Sequence, residues 1–120
     1  MIVSIVIPFF NENSIIENNI SKIITYFESK YEYEIIIIND SGKKNLILEK
    51  IKNNKKNIYL LNNITNSGKG YSIRRGIIKS NGNLILITDA DLATPINEFE
   101  KLLKYYNGNN KIIIGSRSCN

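Results

Sequence analysis

The chain has 120 residues, 42% of them hydrophobic and 22% charged, which suits one compact domain with an ordinary core and leaves no room for a second. With no histidine and a single cysteine, Cys119, it excludes a Ser-His-Asp triad, a Cys-His pair, a histidine metal ligand, an internal disulfide and a zinc cluster. The formal charge of +5 favours anionic partners such as nucleotides, phosphates, nucleic acid or an acidic membrane surface, with plain solubility from scattered lysines as the alternative.

Ile2 to Ile7 is a short β-branched run ending at Pro8, the pattern of a buried strand. Ser14 to Glu17 has the form of a capping box, and Ile16, Ile20, Ile23, Ile24 and Phe27 follow at helical spacing. Glu34 to Ile38 is a second strand, whose four successive isoleucines predict cover on both faces. Asn39-Asp40-Ser41-Gly42 breaks it. Leu46, Ile47 and Ile51 predict a modest helix running out in the polar stretch 52–57, and Ile58 to Leu61 is a third strand. Asn66-Ser67-Gly68-Lys69-Gly70 is a loop, and Ile73, Ile77 and Ile78 line the helix after it, with Gly82 as its stop. Leu84 to Thr88 is a fourth strand. Thr94-Pro95 reads as an N-cap followed by proline at the first helical position, with Phe99, Leu102 and Leu103 facing inward from that helix. Lys111 to Ile114 is a fifth strand, followed by Gly115-Ser116-Arg117-Ser118-Cys119-Asn120.

Strands alternating with helices imply an α/β fold with a mostly parallel sheet and helices on both faces, as one domain over residues 1–120. Ligands of such sheets bind beyond the carboxyl ends of the strands. The unusual polar residues fall at those ends: Asn11 and Glu12 after the first strand, Asp40 after the second, 66–70 after the third, Asp89 and Asp91 after the fourth.

Asp89 and Asp91 repel each other unless a cation sits with them. Mg²⁺ commonly binds through one or two carboxylates plus substrate phosphates, which this spacing suits; a solvated turn with a helix cap is the alternative. Asp40 can accept hydrogen bonds from a base or ribose, or serve an Asx-turn. The stretch NSGKGYS is not a Walker A motif, because the upstream glycine is missing and Gly70 replaces the hydroxyl residue after the lysine. Its glycines still allow close backbone approach, and Lys69 brings a positive charge to a helix N-terminus, a reasonable place for an anion; a flexible loop with a solvent lysine is the alternative. Arg74 and Arg75 are adjacent, so at most one faces the crevice, and neither receives a role. The tyrosines at 31, 33, 105 and 106 read as amphipathic packing, not as a stacking surface for nucleic acid.

Taken together, VSIVIPFFNE at 3–12, IIIINDSG at 35–42, NSGKGYSIRRGI at 66–77, LILITDADLATP at 86–95 and IIIGSR at 112–117 resemble the nucleotide-binding half of a family 2 glycosyltransferase of the Rossmann-like GT-A fold. GKG, DADLATP and GSR are most similar to the dolichyl- or polyprenyl-phosphate β-glucosyltransferases and their mannosyl relatives. The resemblance implies that Pro8, Phe10 and Glu12 line the nucleoside pocket, with Phe10 where the family often has tyrosine. It implies further that Asp40 hydrogen-bonds the base, that Lys69 sits near the nucleotide, and that Asp89 and Asp91 hold Mg²⁺ or Mn²⁺ against the diphosphate. Arg117 then meets the acceptor phosphate or the donor's charge, and catalysis falls to Asp91 and Arg117. Two departures stand out. Asn39-Asp40-Ser41-Gly42 replaces the family's usual Asp-Asp-Gly-Ser, and the acceptor-binding region and catalytic-base segment would follow Arg117.

The expected function is therefore inverting transfer from a nucleotide sugar, UDP-glucose first and GDP-mannose second, to an acceptor such as polyprenyl phosphate. A non-catalytic nucleotide-sugar-binding module, or an incomplete enzyme, is the alternative. A receiver-like signalling domain shares the rhythm but lacks an acidic pair after the first strand. Nucleic-acid binding rests on net charge alone. No apolar run reaches the ~20 residues that cross a bilayer, no signal peptide precedes the first strand, and the lone cysteine suits a reducing compartment. The expected location is therefore the cytoplasm, with an intact enzyme expected to touch the cytoplasmic face of a membrane. The sequons at Asn19 and Asn63 then follow from asparagine abundance, and homo-oligomerisation stays open.

Overall fold

The computed structural model describes residues 2–90, 99–104 and 112–115. Nine elements alternate: β1 Ile2–Phe9, α1 Asn13–Glu28, β2 Glu32–Asn39, α2 Leu46–Asn54, β3 Ile58–Asn62, α3 Lys69–Lys79, β4 Leu84–Ile87, α4 Phe99–Leu103 and β5 Ile112–Gly115. The five strands form one sheet in the order β3-β2-β1-β4-β5, and every pairing is parallel. The chain winds from β1 outward to β3, then returns past β1 to begin the other half at β4. The switch point between β1 and β4 is where a crevice opens in sheets of this kind.

Period-two alternation divides the core between the two faces. On one, Val3, Ile5, Ile7 and Phe9 of β1 join Ile35 and Ile37 of β2 and Leu84 and Leu86 of β4 beneath α1, α2 and α4. On the other, Val6, Ile36, Ile38 and Ile85 lie beneath α3, where Ile77 packs. All four consecutive isoleucines, 35 to 38, are fully buried, as cover on both faces requires. Burying each such side chain contributes roughly 1.5–3 kcal/mol, so the central strands anchor the fold and their ends become fixed points for loops. Phe27 packs edge-on against Phe99, with Tyr31 and Tyr33 beside it. The hydroxyls of Tyr26 and Tyr31 both donate to Glu100, tying α1 to α4. Tyr31 and Tyr33 therefore pack as expected, while residues 105 and 106 lie outside the described residues, as do Thr94 and Pro95.

The structure differs from the sequence reading at two helix ends and on one helix face. α1 begins at Asn13, so the Ser14 to Glu17 box does not form; Glu12 is the N-cap and makes no side-chain bond to the helix. α3 ends at Lys79, where the Ser80 amide closes back on Gly76 and Ile77. Gly82 lies beyond it for a packing reason: a Cβ there would come within 2.7 Å of the Ser4 backbone nitrogen. Ile78, expected on the inner face, is exposed. It is the seventh residue after exposed Tyr71, on the outer stripe of α3.

Candidate functional site

The carboxyl ends of β1, β2 and β4 and the start of α3 enclose a cleft of about 460 Å³. Pro8, Phe10, Glu12, Asp40, Lys69 and Asp89 all line it, joined by Ser72 and Gly68. These are the sequence-derived candidates within the described residues. Asp91 and Arg117 lie outside the described residues.

After β1 the chain turns through Asn11, which takes a left-handed conformation at φ 60°, one that asparagine tolerates. The turn leaves Phe10 half exposed and lets its N–H donate to Glu12 Oε1 at 2.6 Å. Glu12 thus sits at the N-terminus of α1, where the helix dipole favours a negative charge.

Asp40 extends the β2 ladder by one bond, from its N–H to the Phe9 carbonyl at 2.9 Å. Its side chain is buried. Oδ1 accepts from Ser67 N–H at 2.7 Å and from Asn63 Nδ2 at 2.8 Å, and Oδ2 accepts from Gly68 N–H at 2.9 Å. Burial alone would push its pKa up, but the bonds from Ser67, Asn63 and Gly68 outweigh it and hold the carboxyl below its usual range. Asp40 therefore stays ionised at neutral pH and organises the start of α3. A carboxylate offers about four lone-pair positions, so three bonds leave capacity on Oδ2 for one more donor.

Gly68, the N-cap of α3, has φ +97°, a left-handed conformation open to glycine at little cost. That turn delivers Lys69, whose Nζ lies 2.7 Å from Asp89 Oδ1. Asp89 projects from the end of β4, just after Thr88 N–H completes the ladder to Val6. In this arrangement Lys69 is the counter-charge of Asp89.

Among the described residues no group of three or more acidic or cysteine side chains gathers as a metal cage. A divalent ion shared with a diphosphate needs fewer, since one or two carboxylates with phosphate oxygens and water suffice. The donor chemistry at Asp89 fits that case: it is a carboxylate oxygen ligand lining the cleft.

Three residues that sequence reasoning did not select complete the site. Asn63 and Ser72 are buried and bonded to each other at 2.9 Å, and Arg75 reaches Asn63 Oδ1 at 2.7 Å. The one available signal was the adjacency of Arg74 and Arg75 in an amphipathic helix, which does not say which of them turns inward. Burial also removes Asn63 as a glycosylation acceptor in the folded chain, and Asn19 with it, whose amide donates to the Ala90 carbonyl. Asn39, where the resemblance implies aspartate, closes a local turn. Its Oδ1 accepts from Ser41 and its Nδ2 donates to the Lys43 carbonyl and to Asn62 Oδ1.

Residues 4–119 match the sequence model of Glycosyl transferase family 2. A dolichyl-phosphate beta-glucosyltransferase of Trichomonas vaginalis is 37% identical over 131 residues, covering 98% of this chain and 40% of that protein. The Homo sapiens protein of the same name is 32% identical over 114 residues, covering 87% of this chain and 35% of its own length. The chain thus spans about 40% of the length of the first curated relatives it matches. Among solved structures, that of S. aureus TarS 1-349 superposes with a TM-score of 0.58 over 76% of this chain and 28% of its own, at 21% identity, a likeness of fold. Among the described residues no helix is long and apolar enough to cross a membrane.

Proposed function

The chain belongs to glycosyl transferase family 2, and from that premise we propose that its cleft binds a nucleotide-sugar donor, UDP-glucose before GDP-mannose, for inverting transfer to a polyprenyl phosphate. One observation carries the reading. Six residues chosen from the sequence, at the ends of β1, β2 and β4 and the start of α3, line a single cleft at the switch point of the sheet. The names of the relatives, dolichyl-phosphate beta-glucosyltransferases, support the choice of sugar and acceptor.

In this proposal Pro8, Phe10 and Glu12 border the nucleoside, and Asp40 offers its remaining lone pair to the base. Lys69, paired with Asp89, turns part of its charge to the diphosphate. Asp89 and Asp91 would hold Mg²⁺ or Mn²⁺, which when bound supplies a Lewis acid for the departing diphosphate. Arg117 meets the acceptor phosphate or the donor's charge. Direct displacement needs no enzyme nucleophile, which agrees with a chain lacking histidine. A phosphate acceptor is already ionised near neutral pH and needs no general base, unlike a sugar hydroxyl. Such an acceptor places the reaction at a membrane surface.

Titration with UDP in the presence and absence of Mn²⁺ tests the donor half, and UDP release on addition of a polyprenyl phosphate tests transfer. Asp89→Asn and Asp91→Asn are expected to abolish the metal-dependent part of UDP binding while the circular dichroism spectrum stays unchanged. Affinity equal to the wild type in both variants, or none of it metal-dependent, would count against the assignment. A second reading is a nucleotide-sugar-binding module without transfer of its own; in its favour, each of the six candidates lining the cleft is assigned to the donor. Metal-dependent UDP binding without release of UDP from UDP-glucose selects it.

A further inference from the structure

Arg75 does not line the cleft, yet a continuous series of hydrogen bonds runs from it to the backbone that does. Its Nη1 donates to Asn63 Oδ1 at 2.7 Å and to the Asn62 carbonyl at 3.1 Å. The Asn63 amide, buried, donates to Asp40 Oδ1 at 2.8 Å and to Ser72 Oγ at 2.9 Å. Asp40 in turn receives the N–H groups of Ser67 and Gly68, the two residues before Lys69. We propose that Arg75 is a positioning residue for nucleotide binding: by fixing the orientation of the Asn63 amide it holds Asp40 and the 67–69 backbone in place, and so aims Lys69 into the cleft.

The chemistry of the groups gives the relay its direction. A guanidinium is always a donor, so Arg75 admits only the amide oxygen of Asn63 on its side. That leaves the NH₂ end for Asp40 and Ser72. The reverse orientation would set donor against donor at Arg75 and oxygen against carboxylate at Asp40. Without Arg75, the buried Oδ1 of Asn63 loses its charged partner, and Asp40 is left to hold the amide's orientation from one side only. Arg74, its exposed neighbour on α3, takes no part. The inference rests on the donor reading above for its functional half only.

The test compares Arg75→Met, Arg75→Lys and Arg74→Met in the whole chain, by amide hydrogen exchange and by titration with UDP and Mn²⁺. Arg75→Met is expected to speed exchange at Ser67 and Gly68 about tenfold, the scale set by one buried hydrogen bond to a charged group, and to weaken UDP binding by a similar factor. Amides of the central strand, at Ile36 and Ile37, are expected to keep their protection. Arg75→Lys, a point charge in place of a planar fork, should fall between wild type and Arg75→Met, and Arg74→Met should match wild type. Exchange that rises equally in the loop and the central strand would reduce Arg75 to general stability and overturn the inference. So would loop exchange that does not change. Because exchange is read without ligand, a relay that fails is distinguishable from a donor reading that fails, which shows as a wild-type chain that binds no UDP.

Discussion

The charge on Asp40 is the clearest single-residue determinant of the site. Three donors surround its carboxyl and lower its pKa below the ordinary carboxylate value of about 3.9. The folded chain therefore binds that proton less tightly than the unfolded chain does. The stabilisation is present in full above the unfolded pKa and is lost as pH falls through the folded one. Asp40→Asn, which replaces an acceptor facing three donors with a group that is half donor, is expected to cost roughly 1–3 kcal/mol near pH 7. Because wild-type Asp40 becomes neutral in acid, the gap between the two proteins should narrow below about pH 4. Denaturant midpoints across pH 2.5–7 check this, as an order-of-magnitude window around the carboxylate pKa. A gap that widens on acidification would show that the Ser67, Gly68 and Asn63 donors do not hold the charged form. The residue-scale signals were uneven in the sequence. Asp40, Asp89 and Lys69 stood out because charged residues ended apolar runs. Asn63 and Arg75 did not, because an asparagine among many and one of two adjacent arginines carry no local pattern; only the pairing of β2 with β3 and the placement of α3 bring them together.

At the scale of the element, α3 is the part on which the site turns. It starts at the Gly68 turn and carries Lys69, Ser72 and Arg75, and it lies close against β1 and β2 because Gly76 has no side chain. A Cβ at 76 would stand 2.4 Å from Val6 Cγ1 and 2.8 Å from Ile38 Cδ1, both in side chains that are fully buried. Glycine to alanine in an open helix gains about 1 kcal/mol from propensity. Here overpacking, at about 1–3 kcal/mol, opposes that gain and exceeds it, since Val6 is short, branched and enclosed and has no room to yield. Gly76→Ala is thus expected to destabilise the chain in urea and to weaken UDP binding together, because the helix that lifts off the sheet is the one that presents the loop. A neutral or stabilising outcome in urea would mean that α3 rides higher on the sheet than the contacts state. The sequence made the existence and kind of all nine elements legible, since runs of isoleucine ended by glycine, proline and asparagine separate the two periodicities. It misjudged helix ends: Ser14 to Glu17 matched a capping pattern while the chain entered α1 earlier, and Gly82 looked like a helix stop while its small size answered to Ser4. Both are decided by packing between elements distant in sequence.

For the whole molecule, the strand order explains why residues as far apart as Pro8 and Asp89 share one cleft. β1 and β4 are neighbours although the chain visits two other strands between them; α1, which follows β1, covers one face of the sheet, and α3, which leads into β4, covers the other. A parallel sheet could be expected from the alternation of elements, but which strands adjoin could not, because isoleucine-rich strands pair without side-chain codes. A site spread over three strand ends and the start of α3 has a thermodynamic consequence. Any ligand that fills it bridges both halves of the sheet and binds only the folded chain, so it stabilises by RT ln(1 + [L]/Kd), about 2.7 kcal/mol at a hundred times Kd. For a domain of this size that corresponds to a rise in Tm on the order of 10 °C. UDP with Mn²⁺ is expected to produce such a rise in one cooperative transition, UDP alone a smaller one, and Asp89→Asn none beyond that of UDP alone. A second transition appearing with ligand would mean that the cleft and the sheet unfold separately. An equal rise from UDP with and without Mn²⁺ would move the diphosphate onto Lys69 and the α3 N-terminus and leave Asp89 to serve as the lysine's partner.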